Sequence, residues 1–369
     1  MWAQIHLFIF SFDMKRFLIY AFIIVVPILT GIGIVNYVVD PAHVLNKQMQ
    51  RFIADGIGQG YSITNLINQD ERIFKRNVAE VYSKDTIDYL ILGPSQIMTI
   101  TSPVDSITVL NLGVSACRIQ DYLAFYEICK EYGIHYVNVL VAIDPSLFNE
   151  EFVDVRWKSN SQYYYRFKNR KDEIKIVDDF EKLFSVSYFQ EAIKSLQSSE
   201  PQMEPCYTKE TENINSTYDC FGSLTYGETY REMAQSKTDS LASNELHGSF
   251  ANYNSLSMST QKDFELLFDS LRITGANIYI VESPYHPMLY DRLMESKGFC
   301  QAVEYIEQFA VTNNIRLCGT YNPSDAGLKN ESFYDGAHMK KEIANEFLFR
   351  RVFHNNQDMI NNFESALRE

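Results

Sequence analysis

The chain has 369 residues, 46% hydrophobic and 14% aromatic, enough for one large α/β domain or two small ones with real cores. Its 47 acidic side chains against 33 basic ones leave a formal net charge of −14, a balance that repels a nucleic-acid backbone and sets nucleic acid aside as a partner. No two of the six cysteines stand as C-x-x-C, so nothing resembles a zinc finger.

Residues 1–16 read as a short cytoplasmic stub. The first 13, "MWAQIHLFIFSFD", are apolar without pattern, and "MKRFLIYAF" from Met14 has the character of a natural start, so they read as a start-site artefact. Residues 17–39, "FLIYAFIIVVPILTGIGIVNYVV", carry no charge and span about 35 Å as a helix, enough for a bilayer core. The following "NYVVDPAHVLN" is a poor cleavage site, which favours an uncleaved anchor over a signal peptide. Lys15 and Arg16 before the span are matched by Lys47 and Arg51 after it, but the first pair is closer to the membrane. That and the short stub favour a main domain outside the cytoplasm.

Residues 40–84 are mixed and polar and read as a juxtamembrane segment packed on a domain edge. From residue 85 strands and helices alternate. Apolar runs at 87–92, 107–112, 136–143, 276–283 and 315–320 read as five buried strands. Helical spacing at 118–133, 259–275, 298–314 and 338–355 fills the intervals. Residues 150–258, rich in Tyr, Ser, Asn, Lys and Glu, interrupt the rhythm as a long insertion with some helix at 178–197. Residues 356–369 read as a tail. Cys206 and Cys220 flank a polar loop and are the pair best placed for a disulfide in an exported domain; the other four lie in apolar segments and read as buried thiols. Alternating elements imply a parallel sheet covered on both faces, whose ligands bind at the carboxyl ends of the strands.

Chemistry-bearing residues stand at each of those ends. "LGPSQ" offers Ser95 after the first strand, as a nucleophile or as a helix cap. "NLGVSA" offers Asn111, Gly113 and Ser115, the glycine allowing close backbone approach to an oxyanion or simply a loop. "AIDPSLFN" offers Asp144 and Asn149, for substrate or for capping. "ESPYHP" holds His286 in a loop fixed by two prolines. "FYDGAHM" puts Asp335 three residues before His338, so one loop can hold carboxylate and imidazole together, or Asp335 can merely cap the next helix.

With these blocks in this order, the chain resembles the SGNH (GDSL-like) hydrolase superfamily over about residues 85–355. The carriers are "ILGPSQ", "NLGVSA" and "DGAH". An anchor followed by "DPA" and these blocks is similar to the membrane-anchored branch that modifies bacterial cell-surface polymers, by polysaccharide O-acetylation or teichoic-acid D-alanyl transfer. The resemblance implies a flavodoxin-like three-layer parallel sheet of SGNH type, with one N-terminal transmembrane helix and a long insertion. It implies a single-pass protein of the bacterial cytoplasmic membrane, with Ser95 as nucleophile, His338 as base and Asp335 as its orienting partner. Ser95 and Gly113 would give backbone N–H groups to the oxyanion. The implied reaction moves an acyl group, acetyl by expectation, onto a surface polysaccharide or other glycan, or onto water, and needs no metal or other cofactor. A membrane-bound acyl-donor protein is the implied partner.

The family's asparagine donor is replaced here by Asp144, whose carboxylate repels an oxyanion unless protonated. Asn149 or His286 is then expected to supply the missing hydrogen bond. Trp157, Tyr163, Tyr164 and Tyr165 in the insertion are placed either to stack on sugar rings or to pack on the core. Two rival readings stand beside the acyl-transfer one. The first is a non-catalytic polymer-binding or assembly protein on the same fold. The second is a metal-dependent hydrolase with Asp144, His286, Asp335 and His338 as ligands.

Overall fold

A computed structural model describes residues 2–40, 47–66, 70–102, 106–170, 183–197, 204–244 and 248–352. The expected tail at 356–369 and the start of the expected helix at 178–197 lie outside these residues. The chain divides into two compact units, Met1–Met49 with Lys175–Met203, and Gln50–Ile174 with Glu204–Glu369. This division departs from the expected one in two places. Residues 50–84 belong to the main unit, and the 150–258 segment contributes to both units.

In the first unit the helix Trp2–Val39 contains a stretch, Met14–Val39, that is long and apolar enough to cross a membrane. Its C-terminal end is polar and partnered. Asn36 Nδ2 donates to Leu183 O at 2.9 Å and Ser185 O at 3.0 Å, and Tyr188 O–H donates to Asp40 Oδ1 at 2.6 Å. These bonds tie the helix Val186–Gln197 to the end of the apolar one.

The main unit holds nine described strands: β1 Ser62–Thr64, β2 Thr86–Leu92, β3 Val109–Asn111, β4 His135–Ala142, β5 Cys206–Thr208, β6 Thr217–Tyr218, β7 Leu224–Thr225, β8 Asn277–Glu282 and β9 Arg316–Gly319. Five form a wholly parallel sheet in the order β3-β2-β4-β8-β9. They coincide with the five apolar runs of the sequence. The runs are continuous because both faces are covered. Tyr89 and Ile91 of β2 and Leu140 and Ala142 of β4 share a core with Phe347, Leu348 and Phe349 of the helix Lys341–Val352. The alternate residues Leu90, Leu92, Val139 and Val141 are equally buried on the other face. Each such side chain contributes about 1.5–3 kcal/mol by leaving water.

The remaining four strands make a small antiparallel sheet in the order β5-β1-β6-β7. It stitches residues 62–64 to the segment after 204, which is why residues 50–84 are integral to the main unit. It also corrects the expected disulfide. Cys206 opens β5 while Cys220 follows β6, and β1 lies between those strands, a separation of about 9–10 Å that a disulfide does not span. Both cysteines are free thiols, as are Cys117, Cys129, Cys300 and Cys318.

Candidate active site

The carboxyl edge of the parallel sheet gathers the motifs. β2 leaves the sheet through Gly93-Pro94 and turns at once into the 3₁₀ turn Ser95–Ile97. Gly93 has φ +154°, and a Cβ there would lie 2.8 Å from both Cβ and O of Ala142 on β4, so only glycine lets the chain pass so close. The turn half-buries Ser95 and leaves its N–H at the head of a 3₁₀ turn, where the first N–H groups have no partner inside the turn.

Ser95 Oγ lies 2.7 Å from His338 Nε2. On the other side of the ring, Nδ1 lies 2.9 and 2.8 Å from the two carboxylate oxygens of Asp335. A carboxylate accepts only, so Nδ1 carries the proton and Nε2 is the acceptor for the serine hydroxyl. Three residues separated by 243 positions thus form one relay.

The loop holding the acid and base is fixed from several directions. Asp335 Oδ1 accepts the N–H groups of Ala337 and His338, each at 2.8 Å. Tyr230 O–H donates to Oδ2. The His286 N–H donates to Gly336 O at 2.9 Å, and the Tyr334 N–H to His338 O at 2.8 Å. Burial alone would raise Asp335, but the facing imidazole, with hydrogen bonds from His338, Tyr230 and the Ala337 N–H, outweighs it and holds the carboxyl well below its usual range. Tyr226 stands edge-on to the imidazole, ring centroids 5.9 Å apart, and packs on Tyr230 and Tyr334. These rings wall one side of the relay. The other side opens on a cavity of about 310 Å³ lined by Ser95, His338, Gln96, Asp144, Phe152 and Phe250.

The other candidates sit nearby in different roles. Gly113 is not a free donor, because its N–H donates to Asn111 Oδ1 at 3.0 Å. Asn111 is fully buried, and its Nδ2 donates to the carbonyls of Ile97, Met98 and Ile100 at 2.8, 3.2 and 3.0 Å. The glycine block therefore clamps the far end of the serine turn; a Cβ on Gly113 would fall 2.5 Å from Ile97 Cδ1.

Asp144 lines the cavity but caps the 3₁₀ turn Pro145–Phe148, accepting the Ser146 N–H at 2.8 Å and the Tyr285 O–H at 3.0 Å. Burial raises its pKa. Asn149 is also removed from the donor list, since its Nδ2 donates to Ser249 O at 2.7 Å and Ala251 O at 3.1 Å. His286 has no exposed surface. Its Nδ1 accepts the Met288 N–H at 3.2 Å, capping the helix Pro287–Leu293, and its Nε2 faces Asp239 Oδ1 at 3.2 Å. Burial lowers its pKa, and it serves the site through its backbone contact with Gly336.

Of the four residues of the metal-ligand reading, Asp335 and His338 pair with each other, while Asp144 and His286 are engaged in capping the turns that follow them. Among the described residues no group of three or more His, Cys, Asp or Glu is placed to hold a metal ion. The aromatic residues 157 and 163–165 pack elsewhere. Trp157, Tyr164 and Tyr165 contact one another, Tyr163 is buried, and none lines the cavity at Ser95. Phe152 and Phe250 take that place.

Tyr230 and Gln96 are residues of the site that the sequence does not announce. Tyr230 comes from the insertion, 105 positions before the carboxylate it touches. The chain matches no protein-family model and no curated protein.

Proposed function

We propose that this is a membrane-anchored acyltransferase or esterase that works through an acyl-Ser95 intermediate. The observation that carries the reading is the continuous relay from Ser95 Oγ through His338 to Asp335 at hydrogen-bonding distances. A serine hydroxyl is a weak nucleophile until a base takes its proton. Here His338 Nε2 takes it as Oγ attacks the acyl carbonyl, and Asp335 steadies the imidazolium that forms. His338 then gives the proton to the leaving group, leaving the acyl group on Ser95. In the second step an acceptor hydroxyl gives its proton to Nε2 and attacks the ester, and Ser95 recovers its proton as it leaves.

The finer reading of the fold is the flavodoxin-like SGNH type. Its support is a five-stranded parallel sheet with the serine after β2 and the Asp-x-x-His loop after β9. On that reading the acceptor is a hydroxyl of a surface glycan, or water, and the acyl group arrives from a donor protein in the same membrane. The main unit lies outside the cytoplasm of a bacterial cell, and the apolar N-terminal helix holds it to the membrane. The aromatic walls Phe152 and Phe250 suit an acyl group or a sugar face.

The test is to trap the intermediate. Full-length protein in detergent is mixed with p-nitrophenyl acetate, quenched in acid and mapped by mass spectrometry. One acetyl group on the peptide containing Ser95, absent from His338→Ala, is expected. A folded protein that carries no acetyl there contradicts the proposal.

A further inference from the structure

The relay accounts for proton transfer but not for the negative charge that develops on the acyl oxygen. That charge needs N–H donors aimed into the cavity. Gly113, Asn149 and His286 are already committed to protein acceptors. Asp144 presents oxygens that accept.

Among the described residues that line the cavity, one buried side-chain donor is left over. Gln96 is 4% exposed, lines the same cavity as Ser95 and His338, and its Nε2 has no hydrogen-bond partner. It lies beside the Tyr285 phenol, whose proton goes to Asp144 at 3.0 Å. An amide N–H buried without a partner is destabilising, because it has given up its water and gained nothing in return. Such a cost is understandable at a place where a partner arrives with the substrate.

Resting on the acyl-transfer reading, we infer that the Gln96 side-chain amide is an oxyanion donor, acting with the Ser95 N–H on the acyl oxygen. The adjacent position explains the pairing: the nucleophile and its donor ride on one 3₁₀ turn, which Asn111 clamps through the Ile97 and Met98 carbonyls.

The experiment uses full-length protein in detergent, p-nitrophenyl acetate as substrate and a fluorophosphonate to count activated serines. Gln96→Met keeps the size and removes the N–H; Gln96→Glu puts a carboxylate in its place. The inference predicts that kcat falls about 10²–10³-fold in Gln96→Met, the scale of losing one oxyanion donor, and further in Gln96→Glu. KM stays within about threefold, because the donor acts on the transition state. The fluorophosphonate still reaches the full serine count in Gln96→Met, more slowly than in wild type. The melting temperature of Gln96→Met holds or rises, because an unpartnered buried amide has been removed.

Wild-type turnover in Gln96→Met overturns the inference. So does a loss of turnover accompanied by a lower melting temperature, which assigns Gln96 to structure. Turnover that survives Ser95→Ala, or a wild type that neither turns over the ester nor takes the label, overturns the acyl-transfer reading itself.

Discussion

Asp335 is both the cap of its own loop and the partner of the His338 imidazole. Its Oδ1 accepts two backbone N–H groups within "DGAH", while both oxygens face His338 Nδ1. The capping fixes the carboxylate so that the pairing is geometrically determined. Because its folded pKa is depressed, Asp335 contributes stability at neutral pH. That contribution is present above the ordinary carboxylate range and is lost only as pH falls through the lowered value. Asp335 therefore stays ionised through any working pH. Asp335→Asn is expected to keep the fold and lower kcat by about 10⁴, since an amide favours the wrong imidazole tautomer. Tyr230→Phe removes one donor to the carboxylate, and steady-state kinetics should show kcat reduced on the order of tenfold with KM unchanged. The sequence places Ser95, Asp335 and His338 at strand ends, and the structure joins them. It cannot tell where each nearby N–H goes. Gly113, Asn149 and His286 look like donors in the sequence, yet local capping and loop contacts engage all three. Tyr230 leaves no local trace, because its contact with Asp335 is purely tertiary.

The elements that position the site behave as a stack of close contacts. Gly113→Ala forces a methyl against Ile97 Cδ1 and the Asn111 amide, inside the clamp on the serine turn. A loss of about 1–3 kcal/mol in urea unfolding is expected, together with slower acylation. Glu282, at the end of β8, tests the same edge through pH. It is buried with Oε1 unpartnered, and burial, reinforced by Glu307, pushes its pKa up to about 8. A carboxyl raised in the folded state holds its proton after the unfolded chain has lost it. Stability therefore falls as pH climbs from the ordinary carboxylate range to about 8. Glu282→Gln should raise the melting temperature at pH 9 and leave it nearly unchanged at pH 4.5; a pH-independent difference would contradict this origin. The five parallel strands are legible because long apolar runs require cover on both faces. The antiparallel sheet is not: β6 and β7 have two residues each and β1 three, too short for any periodicity to register.

For the whole molecule, the apolar helix and the alternating αβ unit divide the chain's tasks. The stretch Met14–Val39 is legible from composition alone. The helix Val186–Gln197 belongs to the same unit as that stretch although it stands far along the chain, bound there by Asn36 and Asp40. Such partners are invisible to a linear reading. After alkaline carbonate washing, the full chain is expected in the membrane pellet, and recovery in the supernatant would contradict an integral anchor. Activation of Ser95 is tested most directly by labelling with a fluorophosphonate probe. Full-length wild type should be labelled on Ser95, with the label lost in both Ser95→Ala and His338→Ala. A folded wild type that takes no label, or a label that persists without Ser95, would contradict the account and favour a polymer-binding protein on this fold.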